Sequence, residues 1–195
     1  DDCELGTELS PALPSRLARK SGGAEASSAG PMSAGLPRET PLWQRVKRGE
    51  LGVALVFAGQ AAGVGFLTEL RTLGQQPETA QLVMECVVAL QWCAKEYAGP
   101  LLEAGVSWAP FREVLDTDFT DLEAILPAPV SVPLSCLTQC AQLVALAAKL
   151  GTSVGELASR SRVTLGQSQG LAAAVVAASC PSDDDQQERI VDLVK

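Results

Sequence analysis

Val163-Thr-Leu-Gly-Gln-Ser-Gln-Gly-Leu-Ala-Ala-Ala-Val-Val-Ala-Ala-Ser-Cys180 is the stretch that decides how the chain is read. It opens on a short run with two β-branched residues, Val163 to Leu165. It crosses Gly166-Gln167-Ser168-Gln169-Gly170. It continues as an alanine- and valine-rich segment without Gly or Pro until Pro181. That order predicts strand, tight turn and buried helix. Ser168 stands at the turn in a G-x-S-x-G pattern, the signature of a nucleophile elbow. The chemistry explains the spacing. The serine backbone is strained at such a turn, and its flanking glycines lack the Cβ atoms that would keep strand and helix apart. The turn also aims the N–H of Gln169 and the start of a helix at whatever Ser168 attacks.

Working outward, composition sets the frame. The chain has 195 residues, of which 47% are hydrophobic and 19% charged, enough for one domain with a real core. The formal charge of −8 argues against nucleic acid or an anionic membrane as a partner. No uninterrupted apolar run approaches the ~18–20 residues of a membrane span. The first residue is Asp and no signal-peptide pattern is present, so the chain is expected to be a piece of a longer protein.

Six cysteines stand at 3, 86, 93, 136, 140 and 180, and none forms C-x-x-C. Zinc sites use three or four Cys or His ligands at loop-like spacing. With no histidine in the chain, the expected reading is small buried thiols in a reducing compartment and no metal. The missing histidine bears on Ser168 as well. Histidine is the usual general base for a serine nucleophile, so the chain offers a candidate nucleophile without that base.

Residues 1–40 are rich in Ser, Gly, Ala and Pro and read as a flexible leader. Residues 41–50, with Trp43, predict a short helix. The continuous apolar run at 51–57 predicts a buried parallel strand, followed by the loop Ala58-Gly-Gln60-Ala61-Ala62-Gly63. No Gly-Lys-Ser/Thr follows these glycines, so a phosphate loop is excluded. Helices are predicted over 66–73, over 78–97, near 108–115 and from about Pro133 to Leu150, the last capped by Ser131 and ended by Gly151. Residues 152–162 read as a connector. Asp116, Asp118 and Asp121 lack the Gly and closing Glu of a calcium loop and read as a solvated turn. Ser182 and Asp185 form a capping box for a final helix. The expected fold is α/β in three layers, a short parallel sheet between mostly buried helices.

Three stretches together resemble one family. Phe57-Ala-Gly-Gln60 resembles the first-strand loop of malonyl- and acetyltransferase domains. Leu126-Pro-Ala-Pro-Val-Ser-Val-Pro-Leu134 and the helix after it look like the segment before the nucleophile in the acetyltransferase domain of fungal-type fatty acid synthase β subunits. Gly166-Gln-Ser-Gln-Gly170 with Leu171-Ala-Ala-Ala-Val175 is similar to that domain's Gly-His-Ser-Gln-Gly elbow. The starter-unit acyltransferase domains of iterative polyketide synthases are close relatives of that family. The resemblance covers roughly residues 50–195, so residues 41–195 are expected to be the N-terminal part of such a domain, a truncated acyl transferase/hydrolase-like fold.

The resemblance implies that Ser168 attacks an acyl-CoA to form an acyl-enzyme. The acyl group then passes to the phosphopantetheine thiol of an acyl carrier protein. Gln60 and Gln169 would supply the oxyanion-hole N–H groups, and Gly166, Gln167 and Gly170 would complete the elbow. No bound cofactor is implied. The implied partners are the carrier protein and other synthase domains, and the implied location is cytoplasm or plastid. The family's catalytic histidine lies well beyond the elbow, outside these residues, so the 195 residues alone are expected to transfer little. Two positions depart from the pattern: Gln167 stands where the family has His, and Ala61-Ala62 where it usually has Gly. The alternatives are a degenerate acyltransferase with a scaffold role, supported by the missing histidine and by Gln167, and a serine esterase of the α/β-hydrolase type. That last class stacks several β-α units before its elbow, whereas one strong strand precedes this one. For substrate, Arg189 falls in a polar run and is expected to be a surface residue, while Leu171, Ala172, Val175 and Val176 are expected to wall a pocket for an uncharged acyl group.

Overall fold

Two strands brought together from distant parts of the chain carry the candidate site. A computed structural model describes residues 39–59, 65–107, 110–116, 121, 123–179 and 183–194. The leader expected at 1–40 lies almost wholly outside them. Strand β1 (Val53–Phe57) pairs in parallel with β2 (Ser161–Gly166), with Val56 opposite Leu165 and Phe57 opposite Gly166. The chain is mixed α/β and mostly helical: α1 (Pro41–Lys47) precedes β1, and α2 (Gly65–Gly74), α3 (Ala80–Glu96), α4 (Ala98–Glu103), α5 (Pro110–Glu113), α6 (Ala128–Leu150) and α7 (Val154–Arg160) lie between the strands. After β2 come α8 (Gly170–Ser179) and α9 (Asp183–Val194).

The run at 51–57 does form a parallel strand, but it is not buried on both faces. Leu55 and Phe57 point into the core, whereas Val56 between them is 71% exposed. Leu165, its partner on β2, is 55% exposed. Among the described residues one face of the sheet is covered and the other is open. Successive strand side chains alternate between faces, so a continuous apolar run does not reveal which face is packed.

Helix α6 is the centre of the core. Leu134, Leu137 and Ala141 on it are wholly buried, and it packs against α2, α3, α8 and α9. Burying a leucine contributes ~1.5–3 kcal/mol, and α6 carries several. The helix begins five residues before the expected Pro133. Its N-cap is Pro127, Pro129 falls in the first turn, and Ser131 is a buried residue inside the helix. A first-turn proline forfeits no hydrogen bond, because that N–H has no intrahelical partner anyway. Pro133 sits inside α6 and removes the bond to the Pro129 carbonyl. Gly151 ends the helix with φ 74°. With few charges over 23 residues, α6 is long and apolar enough to cross a membrane, although polar residues interrupt its apolar run. Here 67% of its most apolar window is buried inside the fold. Core helices of globular proteins have the same composition.

The connector expected at 152–162 holds a helix and the start of β2. Ser153 caps α7, its Oγ accepting from the Glu156 N–H at 3.0 Å. Ser153-Val-Gly-Glu156 has the spacing of a capping box. Thr152 donates its hydroxyl to Glu156 at 2.7 Å, and Lys47 and Arg160 stand 3.7 and 3.5 Å from that carboxylate. The Thr152 hydroxyl first, then the two cations, hold the Glu156 carboxyl below its ordinary range. These exposed pairs tie α1 to α7 and contribute little to stability.

Candidate active site

The turn between β2 and α8 is built from backbone. The Gln167 N–H donates to the Phe57 carbonyl at 3.0 Å, which carries the parallel ladder one residue past the end of β2. The chain then reverses. Gly170, Leu171 and Ala172 donate to the carbonyls of Gln167, Ser168 and Gln169 at 2.9, 3.1 and 3.1 Å. These i→i+3 bonds start α8 as a tight turn. Ser168 is caught between strand and helix with φ 52°, and among the described residues no other non-glycine residue has a positive φ. A β-carbon in that left-handed region costs ~1–2 kcal/mol, so neighbouring structure imposes the conformation.

That structure is the close approach of three backbone segments. A Cβ on Gly166 would lie 2.5 Å from the Gly170 carbonyl oxygen and from the Leu171 Cα. A Cβ on Gly170 would lie 2.5 Å from the Ala58 carbonyl oxygen and closer still to that of Phe57. Neither position admits a side chain. Small residues let α8 lie against the sheet: Ala173 and Ala177 are wholly buried, and Ala174 and Val176 nearly so. Gly59, just beyond β1, closes the third side. A Cβ there would meet the Gln167 carbonyl oxygen and the Ser168 Cβ, each at 3.2 Å.

The site residues read from sequence divide in two. Gly166, Gln167, Ser168, Gln169 and Gly170 are brought together in this turn, with Gln167 and Ser168 exposed and Gln169 half-buried. Gln60 lies outside the described residues. Its neighbour Gly59 touches the elbow, so the chain leaves β1 beside Ser168. Of the four residues expected to wall a pocket, Leu171 and Val175 are more than half exposed along one side of α8 and Ala172 is half-buried. Val176 is turned into the core and lines no surface. Arg189 is exposed on α9.

Two contacts escaped the sequence reading, both from α6. The Cys136 thiol approaches the Gln169 carbonyl oxygen at 3.8 Å, and burial pushes its pKa up. The Gln139 side-chain N–H donates to the Ala58 carbonyl at 2.7 Å. The only hint in the sequence is a glutamine on a helix apolar nearly all round.

Several groups lie elsewhere. Lys47, Glu50 and Glu156, whose titration is shifted, sit on or beside α1 and α7. Glu156 precedes β2, whose length of about 3.3 Å per residue separates it from the elbow. A cavity of about 330 Å³ between the start of α3, the end of α6 and α9 includes no elbow residue. Asp121 accepts from the Ala124 N–H at 3.1 Å, a turn contact, while Asp118 lies outside the described residues, as do Ser182 and the side chain of Asp185. Cys86, Cys93, Cys136 and Cys140 form no disulfide among the described residues, and no group of three or more His, Cys, Asp or Glu there could hold a metal ion.

Neither models of known protein families nor curated proteins match the chain.

Proposed function

We propose that the chain carries the nucleophile-bearing part of an acyl-CoA:acyl-carrier-protein acyltransferase from a fatty acid or polyketide synthase. The observation that carries this reading is Ser168 at φ 52° in a strand–turn–helix whose flanking glycines admit no side chain. A serine held there stands clear of both elements with its hydroxyl at the head of a helix. In the proposed reaction the Ser168 Oγ attacks the thioester carbonyl and CoA departs as its thiol. The thiol of the carrier's phosphopantetheine then attacks the serine ester, and Ser168 regains its proton. N–H groups of Gln169 and of Gln60 in the loop beside Gly59 stabilise the oxyanion. The chain has no histidine, and on this reading the base is the histidine that the resemblance places well beyond the elbow. The full domain would cover the open face of the sheet and complete the three layers.

A scaffold role, with the chemistry lost, is the second reading, and the absent histidine favours it. Intact-mass analysis of the complete protein after incubation with acetyl-CoA separates the two. The acyltransferase gains one acetyl group, and the scaffold gains none.

The substrate is a neutral acyl group. A malonyl carboxylate calls for a buried, bidentate arginine. The one arginine after the elbow is Arg189, exposed on α9, while Leu171 and Val175 present apolar surface on α8. Acetyl- or hexanoyl-CoA is expected to load the complete protein at least ~10-fold faster than malonyl-CoA, the worth of about 1.4 kcal/mol. Faster loading from malonyl-CoA refutes the neutral-starter assignment.

A further inference from the structure

We propose that Gln139 is a positioning residue that holds the Ala58–Gly59 backbone against the turn bearing Ser168, so that the nucleophile is in place before the substrate arrives. The inference rests on the acyltransferase reading above.

The parallel ladder ends where the Phe57 carbonyl accepts from Gln167. The next carbonyl, that of Ala58, has passed the end of β1, and the Gln139 amide takes it at 2.7 Å from a helix 81 residues further along the chain. The residue after it is Gly59, whose Cβ position lies 3.2 Å from the Ser168 Cβ. Gln139 therefore fixes the peptide that leads into the segment touching the nucleophile.

Cys136 stands three residues before Gln139. Residues three apart on a helix lie on one face. Cys136 reaches the Gln169 carbonyl, on the other wall of the site. One face of α6 thus contacts both walls. Leu134, Leu137 and Ala141, wholly buried around these two residues, hold that face still.

Gln139→Met and Gln139→Glu both remove the donor while nearly keeping the shape, and glutamate keeps the acceptor. Rapid-quench intact-mass measurement of Ser168 acylation by acetyl-CoA in the complete protein gives a rate constant and a half-saturation concentration for each. A site loosened by about 1 Å loses on the order of 10²-fold in rate. Both variants are expected to acylate ~10–100-fold more slowly, with half-saturation changed less than about threefold. Gln139→Met should keep its thermal midpoint within about 3 °C, whereas glutamate, which sets a carboxylate oxygen against the Ala58 carbonyl, lowers it. Wild-type acylation rates in Gln139→Met, or a rate loss in that variant matched by a larger fall in thermal midpoint, overturn the positioning role. If the wild-type protein itself gains no acyl group at Ser168, the acyltransferase reading fails first, and this role fails with it.

Discussion

Ser168→Ala is expected to abolish acyl-enzyme formation in the complete protein and to leave its fold alone. Alanine keeps the Cβ and so keeps the same strain at φ 52°. Only the attacking oxygen is lost. Loss of a nucleophile lowers turnover by a factor on the order of 10⁴ or more. The mass increment seen after incubation with acetyl-CoA should disappear, while the thermal midpoint stays within about 1 °C of wild type. Ser168→Gly tests the strain separately. It removes the nucleophile and the Cβ together, and is expected to raise stability by ~1 kcal/mol, the cost of a β-carbon in the left-handed region. Undiminished labelling of the alanine variant removes Ser168 from the mechanism.

Among the described glycines, Gly170→Ala should be the most damaging methyl addition. The new Cβ falls on the carbonyl oxygens of Phe57 and Ala58, and both are backbone. No rotamer relieves the clash. Either α8 lifts from the sheet or the end of β1 moves, and the bond from Gln167 to Phe57 is strained in both cases. Overpacking against side chains costs ~1–3 kcal/mol, and against two fixed carbonyls the cost should reach at least ~3 kcal/mol. For a domain of this size that lowers the thermal midpoint by about 6–12 °C. Gly99→Ala is the control. Gly99 lies inside α4 with nothing within 4 Å of its Cβ position, so alanine there gains ~0.5–1 kcal/mol from helix propensity. A Gly170→Ala variant that melts like wild type would falsify the close packing described for the turn.

The elbow was legible because its signals are local. The residues at 163–165, two glycines and an unbroken apolar stretch each carry meaning within a few positions. The strain at Ser168 follows from a non-glycine residue between two glycines at a reversal. Helix α7, in the stretch expected to be a connector, is equally legible from the cap Ser153-Val-Gly-Glu156. Helix α6 starts five residues before the expected Pro133 because a proline in the first turn, Pro129, helps a helix begin. The open face of β1 was not legible. Nothing in Val53-Ala-Leu-Val-Phe57 distinguishes Leu55, which is buried, from Val56, which is not. The contacts of Cys136 and Gln139 depend on where α6 crosses the end of the sheet, and no local pattern encodes that.

The pairing of Val53 with Ser161 has a bearing on how the molecule comes to exist. About a hundred residues must be synthesised and gathered in before β1 meets its partner. Loop-closure entropy grows with the logarithm of that length and is met before the pairing returns anything. Helices α2 to α7 make their backbone hydrogen bonds within themselves and form early on this account. The turn that holds Ser168 needs Phe57, Ala58 and Gly59 already in position, so it closes last. During synthesis at ~5–20 residues per second, β1 waits several seconds for its neighbour with apolar side chains uncovered. That interval is when the nascent chain is most exposed to aggregation. In pulsed hydrogen exchange during refolding, the Gln167 amide should gain protection after the amides of α3 and α6, and protection in the opposite order would mean that the strands meet first.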